Sequence, residues 1–159
     1  MKKYSRMTAP SAGFTLIELL VVIGVIAILA AIVLVAVNPG RQFAQARDTQ
    51  RRSDLYSITN AIYQYAAEHE GVLPDTDNND STSNFPATPT YIGNGNFDLA
   101  NAGNAAGTET VVPTYIAEIP NDPSTGTAAN TQYTIFEDSN GRIVASASGE
   151  LTPSIQVTR

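Results

Sequence analysis

From Phe14 to Val37 the chain is apolar with a single carboxylate, Glu18, and that run fixes more about the protein than any other feature. As an α-helix its twenty-four residues rise about 36 Å at about 1.5 Å per residue, enough to cross a hydrocarbon core of about 30 Å. One membrane-spanning helix is therefore expected. Glu18 sits near its start, where an ionised carboxylate costs at least a few kcal/mol at membrane depth and usually has a partner and a task. No such partner is visible in this chain, so it is best sought on another molecule. A simpler alternative places Glu18 at the headgroup level, where an acid also suits the positive end of a helix dipole.

The residues before the run, 1–13, carry Lys2, Lys3 and Arg6 without an acid and end in Ser11, Ala12 and Gly13. A secretory signal has its small-residue cleavage site after the apolar segment. Here the order is reversed, so cleavage at the small residues leaves the apolar run on the mature protein. A cut after Gly13 exposes a new amino group on Phe14 and makes Glu18 the fifth residue, 18 − 13 = 5. The basic leader favours a cytoplasmic start, which puts the acidic remainder outside. Removing it takes three of the nine basic residues and none of the fifteen acids, leaving a side-chain charge of 6 − 15 = −9 and no Lys.

Gly13-Phe14-Thr15-Leu16-Ile17-Glu18 with its basic leader resembles the class III signal of type IV pilins and type II secretion pseudopilins. The similarity extends through the Ala46-Arg47-Asp48-Thr49-Gln50-Arg51-Arg52-Ser53-Asp54-Leu55 segment, and more loosely to Ile119-Pro120-Asn121-Asp122-Pro123. It covers residues 9–71 closely and 111–148 loosely. The resemblance implies cleavage between Gly13 and Phe14 by a membrane aspartyl protease, the prepilin peptidase, followed by methylation of the Phe14 amine. It further implies that Glu18 of one subunit meets the Phe14 ammonium of its neighbour, setting axial register, which buried ion pairs do better than they supply net stability. The implied partners are identical or related pilin subunits, the peptidase and an inner-membrane assembly platform. The precursor is then expected in the cytoplasmic membrane and the product in a surface or periplasmic filament.

The expected organisation is α+β and pilin-like: a leader over 1–13, a transmembrane and filament-core helix over 14–38, an amphipathic continuation over 39–71 and an exported, loop-rich β domain over 72–159. Pro39 lacks an amide donor and clashes with the preceding turn, while Gly40 adds backbone freedom. Either they kink or locally melt one helix, with a role in filament extension, or they end the span and start a separate helix. Leu55, Ile58, Ile62, Tyr65 and Ala66 then recur at steps of three and four, a stripe that should face a sheet, and Gly71 supplies the helix stop. Arg47, Asp48, Arg51, Arg52 and Asp54 cluster upstream, with Asp48 spaced to reach Arg51 and Arg52. They form either a solvated charged face or contacts to acids on neighbouring subunits.

Residues 72–131 have the composition of loops held on a scaffold rather than of a second core. Residues 111–119 suggest a short helical turn or an edge strand. Two strands follow over 132–137 and 142–148, joined through Asn140-Gly141, a strong hairpin signal, and 155–158 can add another.

Other functions find little support. Asp75, Asp77 and Asn79 have the alternate spacing of a calcium loop, but Asp80 stands where an EF-hand needs Gly and Pro86 where it needs Glu. By resemblance to major pseudopilins, Asp122 and Asp138 are weak calcium candidates; no other cofactor is expected. His69 is the single His, there is no Cys, and no Ser lies in a nucleophile motif, so the chain is not expected to be an enzyme. The absence of Cys also sets it apart from pilins that close a C-terminal loop with a disulfide. An acidic chain without a basic stripe is a poor nucleic-acid ligand. Three readings result: a structural pilin for adhesion, motility or DNA uptake; a pseudopilin driving export; or a lone membrane-anchored binding domain.

Overall fold

A computed structural model describes residues 13–77, 83–104 and 106–159, so Lys2, Lys3 and Arg6 of the leader and Asn79 and Asp80 of the acidic loop lie outside the described residues. The chain divides into two compact units, residues 1–39 and 40–159.

In the first unit, helix α1 spans Leu16–Val37 and no residue of it is buried by the rest of the chain. Its start is fixed by a capping box: the Glu18 amide donates to Thr15 Oγ1 (3.2 Å), and the Thr15 amide donates to Glu18 Oε2 (3.0 Å). Seventeen large apolar side chains between Phe14 and Val37 are exposed, most of them by half or more. At about 1.5 kcal/mol or more for each side chain removed from water, covering them is worth on the order of 25 kcal/mol. Such a helix is stable against lipid or against copies of itself, not against water. Asn38 closes α1 in the left-handed region (φ 42°).

Helix α2, Pro39–Glu68, starts at the last residue of the first unit and otherwise belongs to the second; it begins two residues earlier than the expected restart near Arg41. Pro39 takes the first helical position, where its missing amide hydrogen would have had no helical partner and its ring fixes a suitable φ. The end also comes slightly early. The Gly71 amide donates to the Ala66 carbonyl (2.8 Å), and Gly71 stops the helix with a positive φ (90°), preceded by Glu70, which also has left-handed backbone (φ 56°). A side chain in that conformation costs roughly 1 kcal/mol. Glu70→Gly is accordingly expected to raise stability by roughly 0.5–1 kcal/mol in urea unfolding; unchanged or lower stability would show that Glu70 is not strained.

Leu55, Ile58, Ile62, Tyr65 and Ala66 are buried, as the stripe requires. They pack on a four-stranded antiparallel sheet of order β1-β2-β3-β4: Thr90–Tyr91, Tyr133–Glu137, Ile143–Ala147 and Ile155–Thr158. Tyr133, Ile135, Ile143, Ala145, Ala147, Ile155 and Val157 alternate along their strands and supply the sheet side of the core. Gly141 (φ 75°) turns the β2–β3 hairpin as the Asn-Gly pair predicts.

The loop-rich segment contributes more than its composition suggests. Phe85, Ile92, Phe97, Leu99, Ala102 and Val111 enter the same core, with the Phe85 and Phe97 rings edge to face at 5.4 Å. β1 was not legible because two residues give no alternation. Residues 111–114 form a short turn, α3 (Val111–Thr114), with Val112 extended, so the helical alternative holds only in part.

Candidate functional site

Two groups of residues stand out, one in each unit. Around the start of α1, Gly13 has open space on its Cα and Phe14 is 86% exposed. Thr15 also donates its hydroxyl to Glu18 Oε2 (2.8 Å), so the carboxylate accepts two hydrogen bonds from one residue. The sequence reading saw no partner for Glu18 in this chain; the structure corrects it with Thr15, three residues upstream, a pattern the Thr-x-x-Glu spacing could have given. Both donors are neutral. Among the described residues no cation lies on Glu18.

In the second unit the charged cluster of α2 folds inward. Arg51 is 3% exposed and lies between three carboxylates. Its Nε donates to Asp122 Oδ2 (2.5 Å), its Nη1 to Asp48 Oδ1 (2.8 Å) and Glu150 Oε1 (3.2 Å), and its Nη2 to Asp122 Oδ1 (3.3 Å) and Ser124 Oγ (2.9 Å). Arg47, half-exposed, grips Glu150 through two parallel bonds of 2.6 and 2.5 Å. That fork-to-fork geometry is the strongest available to a guanidinium.

The carboxylates in turn hold backbone. Asp48 accepts the amides of Glu150 (2.7 Å), Leu151 (2.9 Å) and Thr152 (3.1 Å), while Asp122 accepts those of Ser124 (2.8 Å) and Thr125 (2.9 Å). Two loops remote in sequence are thereby fastened to one turn of α2. Glycines permit the approach: a Cβ on Gly149 would meet the Thr152 carbonyl oxygen at 2.3 Å, and one on Gly126 the Asp122 amide nitrogen at 2.4 Å.

Electrostatics follow from this geometry. Burial pushes the Asp48 carboxyl up, but the three amides and Arg51 outweigh it and bring it down to about 2. The Arg47 contact carries Glu150 down to about 2 against opposing desolvation. For Asp122, desolvation is likewise outweighed by Arg51 and two amides, and the net direction is down. Each of these groups has a folded pKa below its unfolded value, so its contribution is complete only above its unfolded pKa, from about pH 5 upward, and is lost as pH falls toward 2. Thermal melts of the full chain at pH 7, 5, 3 and 2 should therefore show most of the loss in the last two steps. An Arg51→Met variant should show a shallower acid dependence, and a parallel loss in both proteins would remove the cluster as the cause.

Several expectations change here. Arg47 and Arg51 meet acids of their own chain, because the 120–126 and 148–152 loops close over α2 and bring them there. Asp48 reaches Arg51 but not Arg52, which is exposed. Asp54 is buried, accepting from the Tyr133 hydroxyl (2.7 Å) and Gln50 (2.7 Å), rather than part of a solvated face. Of the calcium candidates, Asp122 faces a guanidinium and Asp138 pairs with Arg142 (2.7 Å) while accepting the turn amides of Asn140 and Arg142. The two are held apart in separate duties, and among the described residues no group of three or more acids or histidines gathers to hold a metal. Asp75 is buried and accepts the amides of Asp77 and Asn84. Glu150 and Ser124 escaped the sequence reading altogether, since nothing local marks a residue 99 positions from Arg51.

A family model described as the prokaryotic N-terminal methylation motif matches residues 9–34. This is the class III prepilin signal of type IV pilins and pseudopilins. Joined to an α+β, pilin-like arrangement, it supports a type IV pilin or pseudopilin, a structural class and not an enzyme class. The motif implies processing by prepilin peptidase and assembly with other pilin subunits, and α1 is consistent with membrane anchoring of the precursor. No curated protein and no solved structure matches the chain.

Proposed function

We propose that this chain is the structural subunit of a type IV pilus-like filament, assembled after cleavage between Gly13 and Phe14. The observation that carries the reading is α1 itself: an exposed apolar helix, capped by Thr15, begins just after the Gly13–Phe14 pair and holds one carboxylate with no cation on it among the described residues. Lipid covers such a helix before assembly and neighbouring copies cover it afterwards. The ammonium created at Phe14 is the missing counter-charge for Glu18, supplied by the next subunit. Glu18 and Phe14 thus act in assembly, with the Pro39-Gly40 junction allowing α1 and α2 to adjust, and Arg52 is an exposed α2 cation available to a neighbour.

Intact mass and N-terminal sequencing of protein sheared from the native cell surface test this. The expected product starts at N-methylated Phe14. Because all lysines lie in the leader, an amine-reactive label should then find no primary amine on the mature chain. A chain retaining Met1, or cut after Val37, overturns the reading. The same product confined to the membrane fraction points instead to a pseudopilin that drives export.

A further inference from the structure

A groove of about 700 Å³ opens beside the arginine cluster, entirely within residues 40–159. Its volume is that of a small-ligand site. No Leu, Ile, Val, Phe or Met is among its lining residues. Within the lining, the Thr134 and Ser146 hydroxyls bond across β2 and β3 at 2.7 Å, and Arg51 is tied to Asp122.

The lining divides into two sets. Its charged groups are saturated by one another, since Arg51, Arg47, Asp122 and Glu150 form the ion pairs described above. By contrast the Tyr91 hydroxyl, the Gln132 carboxamide and the Ser148 hydroxyl have no hydrogen-bond partner among the described residues. Gln132 is also held in the left-handed region (φ 65°), a conformation that costs energy in a non-glycine residue and tends to persist at functional positions. Tyr91 is 44% exposed and is the one aromatic residue in a lining that mixes polar side chains with Pro123 and Ala147.

These features select a ligand chemistry. An apolar molecule would strip water from three uncharged polar groups without replacing their hydrogen bonds. A cation would compete with Arg51 and Arg47 for the same carboxylates, and an anion would meet two guanidiniums already committed to three acids. A neutral polyhydroxylated molecule meets neither obstacle. Its hydroxyls both donate and accept, matching a phenol, a carboxamide and a serine, and its C–H face can lie on the Tyr91 ring. We propose that this groove binds a neutral oligosaccharide, with Tyr91 as the platform and Gln132 and Ser148 as the hydroxyl-reading groups. This goes beyond the filament reading and does not depend on it.

The test uses the full chain in phosphatidylcholine nanodiscs, which avoids sugar-based detergents. Cellotriose, maltotriose and chitotriose are titrated beside trigalacturonate as the charged control, with saturation-transfer NMR and tyrosine emission as readouts. At least one neutral trisaccharide is expected to bind with a dissociation constant of about 1 mM or tighter, and trigalacturonate to bind more weakly. Tyr91→Ala and Gln132→Ala should each weaken binding by about tenfold or more at unchanged circular dichroism. Ser148→Val, at an exposed loop position, serves as the variant if either of these fails to fold. Absence of saturation by all three neutral sugars, preference for trigalacturonate, or unaltered affinity in the folded variants would overturn the proposal. Because the assay requires no filament, its failure leaves the assembly reading untouched.

Discussion

Replacing Glu18 with Gln should leave cleavage intact and abolish the filament. A glutamine at the third helical position still accepts from the Thr15 amide and hydroxyl, as a capping box allows, so α1 keeps its start. What disappears is the charge. A neutral side chain has no Coulombic attraction to an incoming ammonium, and a subunit leaving lipid loses the contact that sets its axial position. Glu18→Ala removes both the charge and the cap and should behave no worse in assembly than Glu18→Gln. The comparison is read by mass spectrometry of the membrane fraction, for processing, and by electron microscopy of sheared surface material, for filaments. Filaments of normal abundance in Glu18→Gln but not in Glu18→Ala would mean that the carboxylate serves the helix cap and not the neighbour.

Arg51→Ala is expected to destabilise the exported domain by about 3–5 kcal/mol, the cost of leaving buried charges without their partner. Asp48 and Asp122, 5% and 7% exposed, would face each other's field without the guanidinium, and the 120–126 and 148–152 loops would lose their common anchor. Domain stabilities are typically about 5–15 kcal/mol, so this one change approaches the unfolding limit. Arg51→Lys should recover little, since one ammonium cannot reproduce contacts to Asp48, Asp122, Ser124 and Glu150 from a planar fork. Arg47→Ala, at a half-exposed pair, should cost about 1 kcal/mol or less. Urea unfolding of the full chain in nanodiscs gives all three; a loss for Arg51→Ala no larger than that for Arg47→Ala would refute the view that Arg51 organises the two loops.

Arg51 also shows why part of the structure was hidden in the sequence. Its spacing from Asp48 is a local matter of one helical turn and was legible. The arrival of Asp122 and Glu150, 71 and 99 residues further along, depends on how the chain returns to the helix. Asp122 was singled out, but for calcium, because an acid in a polar loop looks the same whether it awaits a cation or already holds one. The core contributions of Phe85, Ile92, Phe97 and Leu99 were missed for a related reason. Apolar residues scattered through Asn, Thr, Asp and Gly carry no period, and only packing against Leu55 and Tyr133 gives them a common side.

What the sequence settled by itself was whatever depends on near neighbours: the apolar span after Gly13, the buried stripe of α2, the Asn140-Gly141 hairpin and the prepilin signal. Each rests on helix rise, side-chain period or turn geometry, which a few adjacent residues determine. Tertiary structure alone decided that Arg47 and Arg51 turn to acids of their own chain, that the loops complete one core, and that Tyr91, Gln132 and Ser148 line one groove. Those outcomes join residues tens of positions apart, and long-range pairing is set by the closure of the whole chain and not by any local preference.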